Sequence, residues 1–189
     1  MRTRRNGVKY FMEEEKEKFL KAVEESRSVR DKMIVSLFLA TGIRLSELAN
    51  LFVSKVQDKK ILKVVGKGRK EREIPLKTKT QEELRAFLEW KKGAGESLHP
   101  NAPLFCSPLT KKRLSNRAIQ FRIDYYVRKA DLERDFSPHA LRHTFGYGLG
   151  KKGIPLQVIQ KLLGHSNINT TQIYCQPDLD QMRLAVESL

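Results

Sequence analysis

Between residues 59 and 76 the chain changes its hydrophobic period, and that change limits the folds open to it. The stretch KKILKVVGKGRKEREIPL carries two β-rich runs around the turn GKGRK, which reads as a hairpin. Nearly everything else follows a helical period. FMEEEKEKFLKAVEES (11–26) has apolar residues at 11, 12, 19, 20 and 23 and acids in its first turn, so it reads as a helix. SVRDKMIVSLFLATG (28–42) is a more apolar helix, expected at the centre, with Ser28 and Asp31 as a cap pair and Gly42 as its end. RLSELANL (44–51) is a short third helix and TQEELRAFLEWKK (80–92) a longer fourth. GAGESLHPNAP (93–103) is the clearest loop. Helices are expected at 115–131, 138–151, 155–163 and 167–174, with a short tail helix after Pro177. The fold class is mainly α with one small antiparallel sheet, an α+β arrangement without internal repeats.

A chain of 189 residues fits one domain with a proper core. Lys and Arg number 37 against 22 Asp and Glu, a net charge of +15. That imbalance points to a polyanionic partner, either nucleic acid or an anionic membrane surface. The longest apolar run, Met33 to Ala40, is interrupted by Ser36 and falls far short of the roughly 20 residues a membrane span requires. The opening MRTRRNGVKY reads as a loose basic arm over 1–10 rather than a signal peptide. Cys106 and Cys175 form no CxxC pair, so neither a zinc site nor a disulfide framework is suggested. Both are expected to be buried thiols in a reducing, cytoplasmic setting.

The segment HALRHTFGYGL (139–149) poses a chemical question. Ser137 and Pro138 make a helix start, and His139, Arg142 and His143 then stand at i, i+3 and i+4 on one face. Cationic or near-cationic groups crowded this way cost stability, and the crowding makes sense if an anion sits there. Two histidines at i and i+4 could instead hold a metal, but no Glu follows the first, and Arg142 would repel a cation. GLGKKG (148–153) matches GxGxxG, yet a dinucleotide fingerprint opens a helix after a strand, whereas these glycines are read as closing one. GKGRKE lacks the GxxxxGK[ST] of a phosphate-binding loop.

Four other positions carry modest signals. Arg44 follows the helix-ending Gly42, and Glu47 three residues on could fix its fork, though exposed ion pairs of this kind are common and cheap. Lys67 sits at the hairpin tip between Gly66 and Gly68, which permits close approach to a ligand, although solvated turn lysines are the commoner case. His165 follows the C-capping Gly164 in LLGHSN. Tyr174 lies nine residues later in NINTTQIYCQP, where a core aromatic is the ordinary expectation.

Their order carries more than any one of them. Arg in TGIRLSEL, Lys in a GKG hairpin, HxLRH, LLGH and the following Tyr resemble the tyrosine recombinase family of phage-integrase and Xer-like site-specific recombinases, from about residue 10 to 180. The resemblance implies a catalytic domain over 11–175, a C-terminal tail over 176–189, and an active-site set of Arg44, Lys67, His139, Arg142, His165 and Tyr174. His143 is assigned by it to packing or support. It further implies double-stranded DNA as partner and strand cleavage through a covalent 3′-phosphotyrosyl link, without metal, ATP or other cofactor. Arg44 and Arg142 would hold the non-bridging oxygens, His139 would act as base, Lys67 would protonate the leaving 5′ oxygen, and His165 would donate to the phosphate. Family members usually carry an N-terminal DNA-clamping domain; the expectation here is that it is absent, leaving a monomer in solution that assembles as a tetramer on DNA through its tail. The competing readings are a basic DNA-binding protein without catalysis and a topoisomerase of the related tyrosine type.

Overall fold

A computed structural model describes residues 9–66, 71–132 and 136–165, together with Thr171, Tyr174, Arg183, Val186 and Glu187. The elements in chain order are α1 (Glu13–Glu25), α2 (Val29–Thr41), α3 (Leu45–Ala49), β1 (Ile61–Val65), β2 (Glu71–Pro75), α4 (Thr78–Gly93), α5 (Asn116–Lys129), α6 (Pro138–Lys151) and α7 (Leu156–Leu163). A short 3-10 turn at Val53–Lys55 follows α3. The mainly helical architecture with one two-stranded antiparallel sheet is the one expected. Lys67, Cys175, and nearly all of the arm and the tail lie outside the described residues.

Helix α2 buries most of its length and is the central rod. Met33, Ile34, Val35, Leu37 and Phe38 are all buried, and α1, α4 and α6 pack around it. Ser28 caps it by accepting the Asp31 N–H at 3.3 Å. The Asp31 side chain does other work: it accepts from Arg122 Nη1 at 2.7 and 2.8 Å and from the Tyr126 hydroxyl at 2.7 Å, tying α2 to α5. Gly42 ends α2 in the left-handed conformation, φ 60°, where a residue without Cβ is favoured. A Cβ there would also strike Phe145 of α6 and lie 2.7 Å from Leu163 of α7. Two helices thus close directly over the end of a third.

In the hairpin, β1 and β2 pair with Leu62 opposite Ile74 and Val64 opposite Arg72. Burial alternates along both strands, so Arg72 points inward with the apolar residues. Helix α4 begins at Thr78, two residues before the expected start. The loop after it is pinned rather than loose. Glu96 is buried, accepts from Lys91 Nζ at 2.7 Å and pairs with Arg30 of α2. Buried Cys106 lies 3.4 Å from the same Lys91 nitrogen. Farther on, a turn at 107–112 projects outward, closed by Ser107 N–H to the Lys112 carbonyl at 2.7 Å, with Leu109 92% exposed. At the N-terminal end Tyr10 stacks on Tyr147 at 4.0 Å and Phe11 on Phe136 at 4.1 Å, so the arm's last residue is packed. No helix among the described residues is long and apolar enough to cross a membrane.

Helix α6 ends within GLGKKG, as expected: Gly148 and Gly150 lie in its last turns and the chain turns at Gly153, φ 71°. Gly150 answers to packing. A Cβ at Gly150 would collide with the Tyr174 carbonyl, so the glycine admits the backbone of another segment against the helix.

Candidate active site

Two helix ends meet beneath the start of α6. The C-termini of α2 and α7 leave backbone carbonyls without helical partners, and such ends carry partial negative charge. Arginines answer both. Arg142 donates from Nη1 to the Gly42 carbonyl at 2.6 Å and from Nη2 to the Leu163 carbonyl at 2.5 Å. Arg44 donates from Nη2 to the Gly164 carbonyl at 2.6 Å, and Arg72 from Nε to the Leu162 carbonyl at 2.9 Å. One carboxylate holds the group together. Glu47 accepts Arg72 Nη1 and Nη2, each at 2.7 Å, Arg44 Nη1 at 3.0 Å, and the Arg44 backbone N–H at 2.9 Å. Burial alone would raise its pKa, but the hydrogen bonds from Arg72 and the Arg44 N–H, with the Arg72 charge, outweigh it and hold the value to about 2. Arg142 is brought down to about 10, by burial first and then by the charges of Arg44 and Arg72, and stays cationic at neutral pH. Three guanidinium charges against one carboxylate leave a positive, rigid cluster suited to an anion.

Beside it lies a neutral half. Tyr174 is 5% exposed and packs with Ile159 and Leu163 of α7 and with Phe145 of α6. Its ring rests on Gly146, where a Cβ would lie 2.8–2.9 Å from Cζ and both Cε atoms. Its hydroxyl lies 2.5 Å from His143 Nδ1. Burial pushes the phenol up to about 12, with the Arg142 charge pulling the other way. The His165 ring stacks near Tyr174, 6.3 Å between centroids, and its Nδ1 lies 2.9 Å from Thr171 Oγ1. Both histidines are brought down to about 4. Burial leads in each case, followed by His139 and Arg142 for His143 and by Arg142 and Arg44 for His165. At neutral pH neither is charged, so the crowd of cations read from the sequence at 139–143 is centred on Arg142.

Of the residues singled out from the sequence, Arg44, Arg142, His165 and Tyr174 come together here. His139 is exposed on the first turn of α6. Lys67 lies outside the described residues, though the strands on either side of its turn end close to the site through Arg72. Two participants were missed. Arg72 could have been found from the strand period, since a charge in a slot shared with Ile74 and Val64 signals a buried partner. His143 was assigned to support; its contact with the phenol depends on a chain return that local spacing does not report. Among the described residues there is no cluster of three His, Cys, Asp or Glu that could hold a metal.

Comparison with known proteins bears on the family and the fold. Tyrosine recombinase XerC of Shewanella sp. (strain ANA-3) is 40% identical over 156 residues, covering 82% of this chain and 51% of that protein. Tyrosine recombinase XerA of Thermococcus kodakarensis is 36% identical over 185 residues, covering 97% and 63% respectively. The crystal structure of the XerH site-specific recombinase bound to its difH substrate, a pre-cleavage complex, superposes with a TM-score of 0.78 at 25% identity, over 95% of this chain and 54% of that one. The chain therefore spans about half to two thirds of the length of these relatives. The model of the phage integrase family matches residues 9–180, and the chain belongs to that family.

Proposed function

We propose that this chain is the catalytic unit of a site-specific DNA recombinase, with residues 11–175 as the working domain, and that it cuts and rejoins strands through a 3′-phosphotyrosyl link at Tyr174. The observation that carries the reading is the meeting of Arg44 and Arg142, fixed by backbone carbonyls and Glu47, with a tyrosine flanked by two histidines. Family membership and the DNA-bound XerH relative support double-stranded DNA as the partner, as does the net charge of +15.

The chemistry follows from the groups. As phosphorus becomes five-coordinate, charge gathers on its non-bridging oxygens, where two guanidinium forks are matched donors. Preorganisation is already present: Arg44 and Arg142 are held before any substrate arrives. His165, neutral and oriented by Thr171, has a ring nitrogen left to donate to the phosphate. His139, expected from the sequence to be the base, is exposed at the start of α6 and serves as an acid–base group, and Lys67 protonates the departing 5′ oxygen. The phosphotyrosyl link conserves the bond energy, so neither ATP nor metal enters. A 5′ hydroxyl from another strand then attacks and rejoins. Tetramer assembly on DNA through residues 176–189 belongs to the same proposal.

The test incubates the chain with nicked duplex from its own flanking sequence, in excess EDTA and without nucleotide. A covalent adduct mapped by peptide mass to Tyr174, and absent in Tyr174→Phe, is the expected result. An adduct at Tyr125 or Tyr147, or cleavage that needs Mg²⁺, would refute the assignment.

A further inference from the structure

We propose that His143 is the proton acceptor for Tyr174, so that the phenolic proton passes to its Nδ1 as the phenol attacks phosphorus. The inference rests on the recombinase reading and adds a catalytic group to it. Geometry comes first. A general base must lie within about 2.6–3.2 Å of the atom it deprotonates. His143 Nδ1 stands 2.5 Å from the Tyr174 oxygen, just under the lower end of that range and within direct hydrogen-bond contact. His139, one turn earlier on the same helix, is exposed, while the phenol is buried.

The pair is also held in register. Tyr174 lies along α6, its backbone against Gly150 and its ring on Gly146, each glycine replacing a side chain that would lift it away. His143 is the next residue of that face toward the N-terminus, so Tyr174 runs along two turns from its backbone at Gly150 to its hydroxyl at the imidazole. The groups around His143 are His139 and Arg142 on α6, the phenol of Tyr174, and His165 after α7; Arg44 and Arg72 stand behind Arg142. Burial first, and then the charges of His139 and Arg142, keep the imidazole neutral in the resting site, and in its Nε2–H form Nδ1 accepts from the phenol. Protonation during attack would be opposed by the same charges, until the phosphate brings negative charge among them.

The step balances without further reagents. The Tyr174 oxygen forms a bond to phosphorus, its proton moves to His143 Nδ1, the bond from phosphorus to the 5′ oxygen breaks, and that oxygen takes a proton from Lys67. Rejoining reverses each transfer.

Two measurements test this. Single-turnover adduct formation on a nicked duplex is followed from pH 6 to 9 for the parent chain, His143→Gln and His143→Ala. The expected deficit at pH 7 is about 10²–10⁴-fold, narrowing as pH rises because hydroxide replaces the lost base. A duplex with sulfur at the bridging 5′ position, whose leaving group needs no proton, is expected to leave the deficit in place. Variants as fast as the parent or faster, pH profiles parallel to it, or rescue by sulfur would each overturn the proposal. The second measurement needs no DNA: ¹⁵N shifts of the His143 ring are expected to show an unprotonated Nδ1 that responds to Tyr174→Phe. A protonated Nδ1 donating to the phenol would overturn it. Adducts that persist in Tyr174→Phe would instead sink the tyrosine assignment itself, while the ¹⁵N measurement still decides the hydrogen bond.

Discussion

The two halves of the site solve opposite problems. The arginine half is charged and fully tied: Arg44, Arg72 and Arg142 each meet a helix-end carbonyl, and Glu47 links two of them. The tyrosine half is neutral, apolar in its packing, and joined to the rest through two contacts of histidine nitrogens with hydroxyls. The difference teaches where preorganisation is useful. Charge that must meet developing charge is fixed in advance, because reorienting it during reaction costs free energy. A nucleophile gains from shelter and a nearby acceptor, because its phenol must remain protonated until attack.

Substitutions can break the comparison at measurable points. Within the arginine half the largest effect is expected from Arg142→Ala or Arg44→Ala, each cutting adduct formation by about 10²–10³-fold while affinity changes little. Binding as a function of salt separates the two quantities, since affinity should fall with a log–log slope near about −0.9 per neutralised phosphate in both variants. Loss of binding with an intact rate in the bound complex would put these residues outside the reaction. Next comes Glu47→Gln, which leaves the Arg72 guanidinium buried without its carboxylate. We expect a loss of about 3–5 kcal/mol in stability by urea titration. An unchanged midpoint would show that the arginines are held by the carbonyls alone.

Acid should take the halves apart in sequence. The unfolded chain binds protons more readily than buried His143 and His165, whose values are about 4 against 6.5. The stability their neutral forms lend is complete above about pH 6.5 and is lost as pH falls toward 4. Glu47, near 2 against 4.5, lends stability above pH 4.5 and loses it toward pH 2. Hydrogen-exchange protection of α6 and α7, taken relative to the intrinsic rate at each pH, should therefore fall near pH 5, before that of α3. Simultaneous loss would contradict the division. The smallest effect is expected from Lys63→Ala. It removes an exposed pair with Glu73 on the outer face of the hairpin, and Tm should not move measurably.

Much of the fold could be read from local pattern because local pattern caused it. Helix α6 begins at Pro138 and ends at Lys151 as expected, since Ser137 and Pro138 define a start by themselves. The ends of α2 and α7 were readable because glycine occupies the left-handed position in each, at Gly42 and Gly164. Arg44 and Glu47 pair as their spacing suggested. What escaped local reading depends on chain returns. Gly150 looks like a helix breaker until a second segment is seen against α6. Arg72 looks like a surface residue of a basic hairpin until α3 and α7 are placed behind it. The charge of a histidine is set by burial, which spacing does not report, so His143 counted as a near-cation in the sequence and is neutral in the fold.

The projecting turn at 107–112 has a practical consequence. It carries Lys111 and Lys112 exposed beside Leu109, whereas Lys91 is wholly enclosed, so trypsin should find the first pair and pass over the second. A cut there leaves Arg44, Glu47 and Arg72 on one fragment and Arg142, His143 and Tyr174 on the other. The fragments would remain clasped through Asp31 with Arg122 and Tyr126, and through Arg142 with the Gly42 carbonyl. This turn is accordingly the place to divide the gene, so that neither product alone carries a complete site and activity reports that two polypeptides have met.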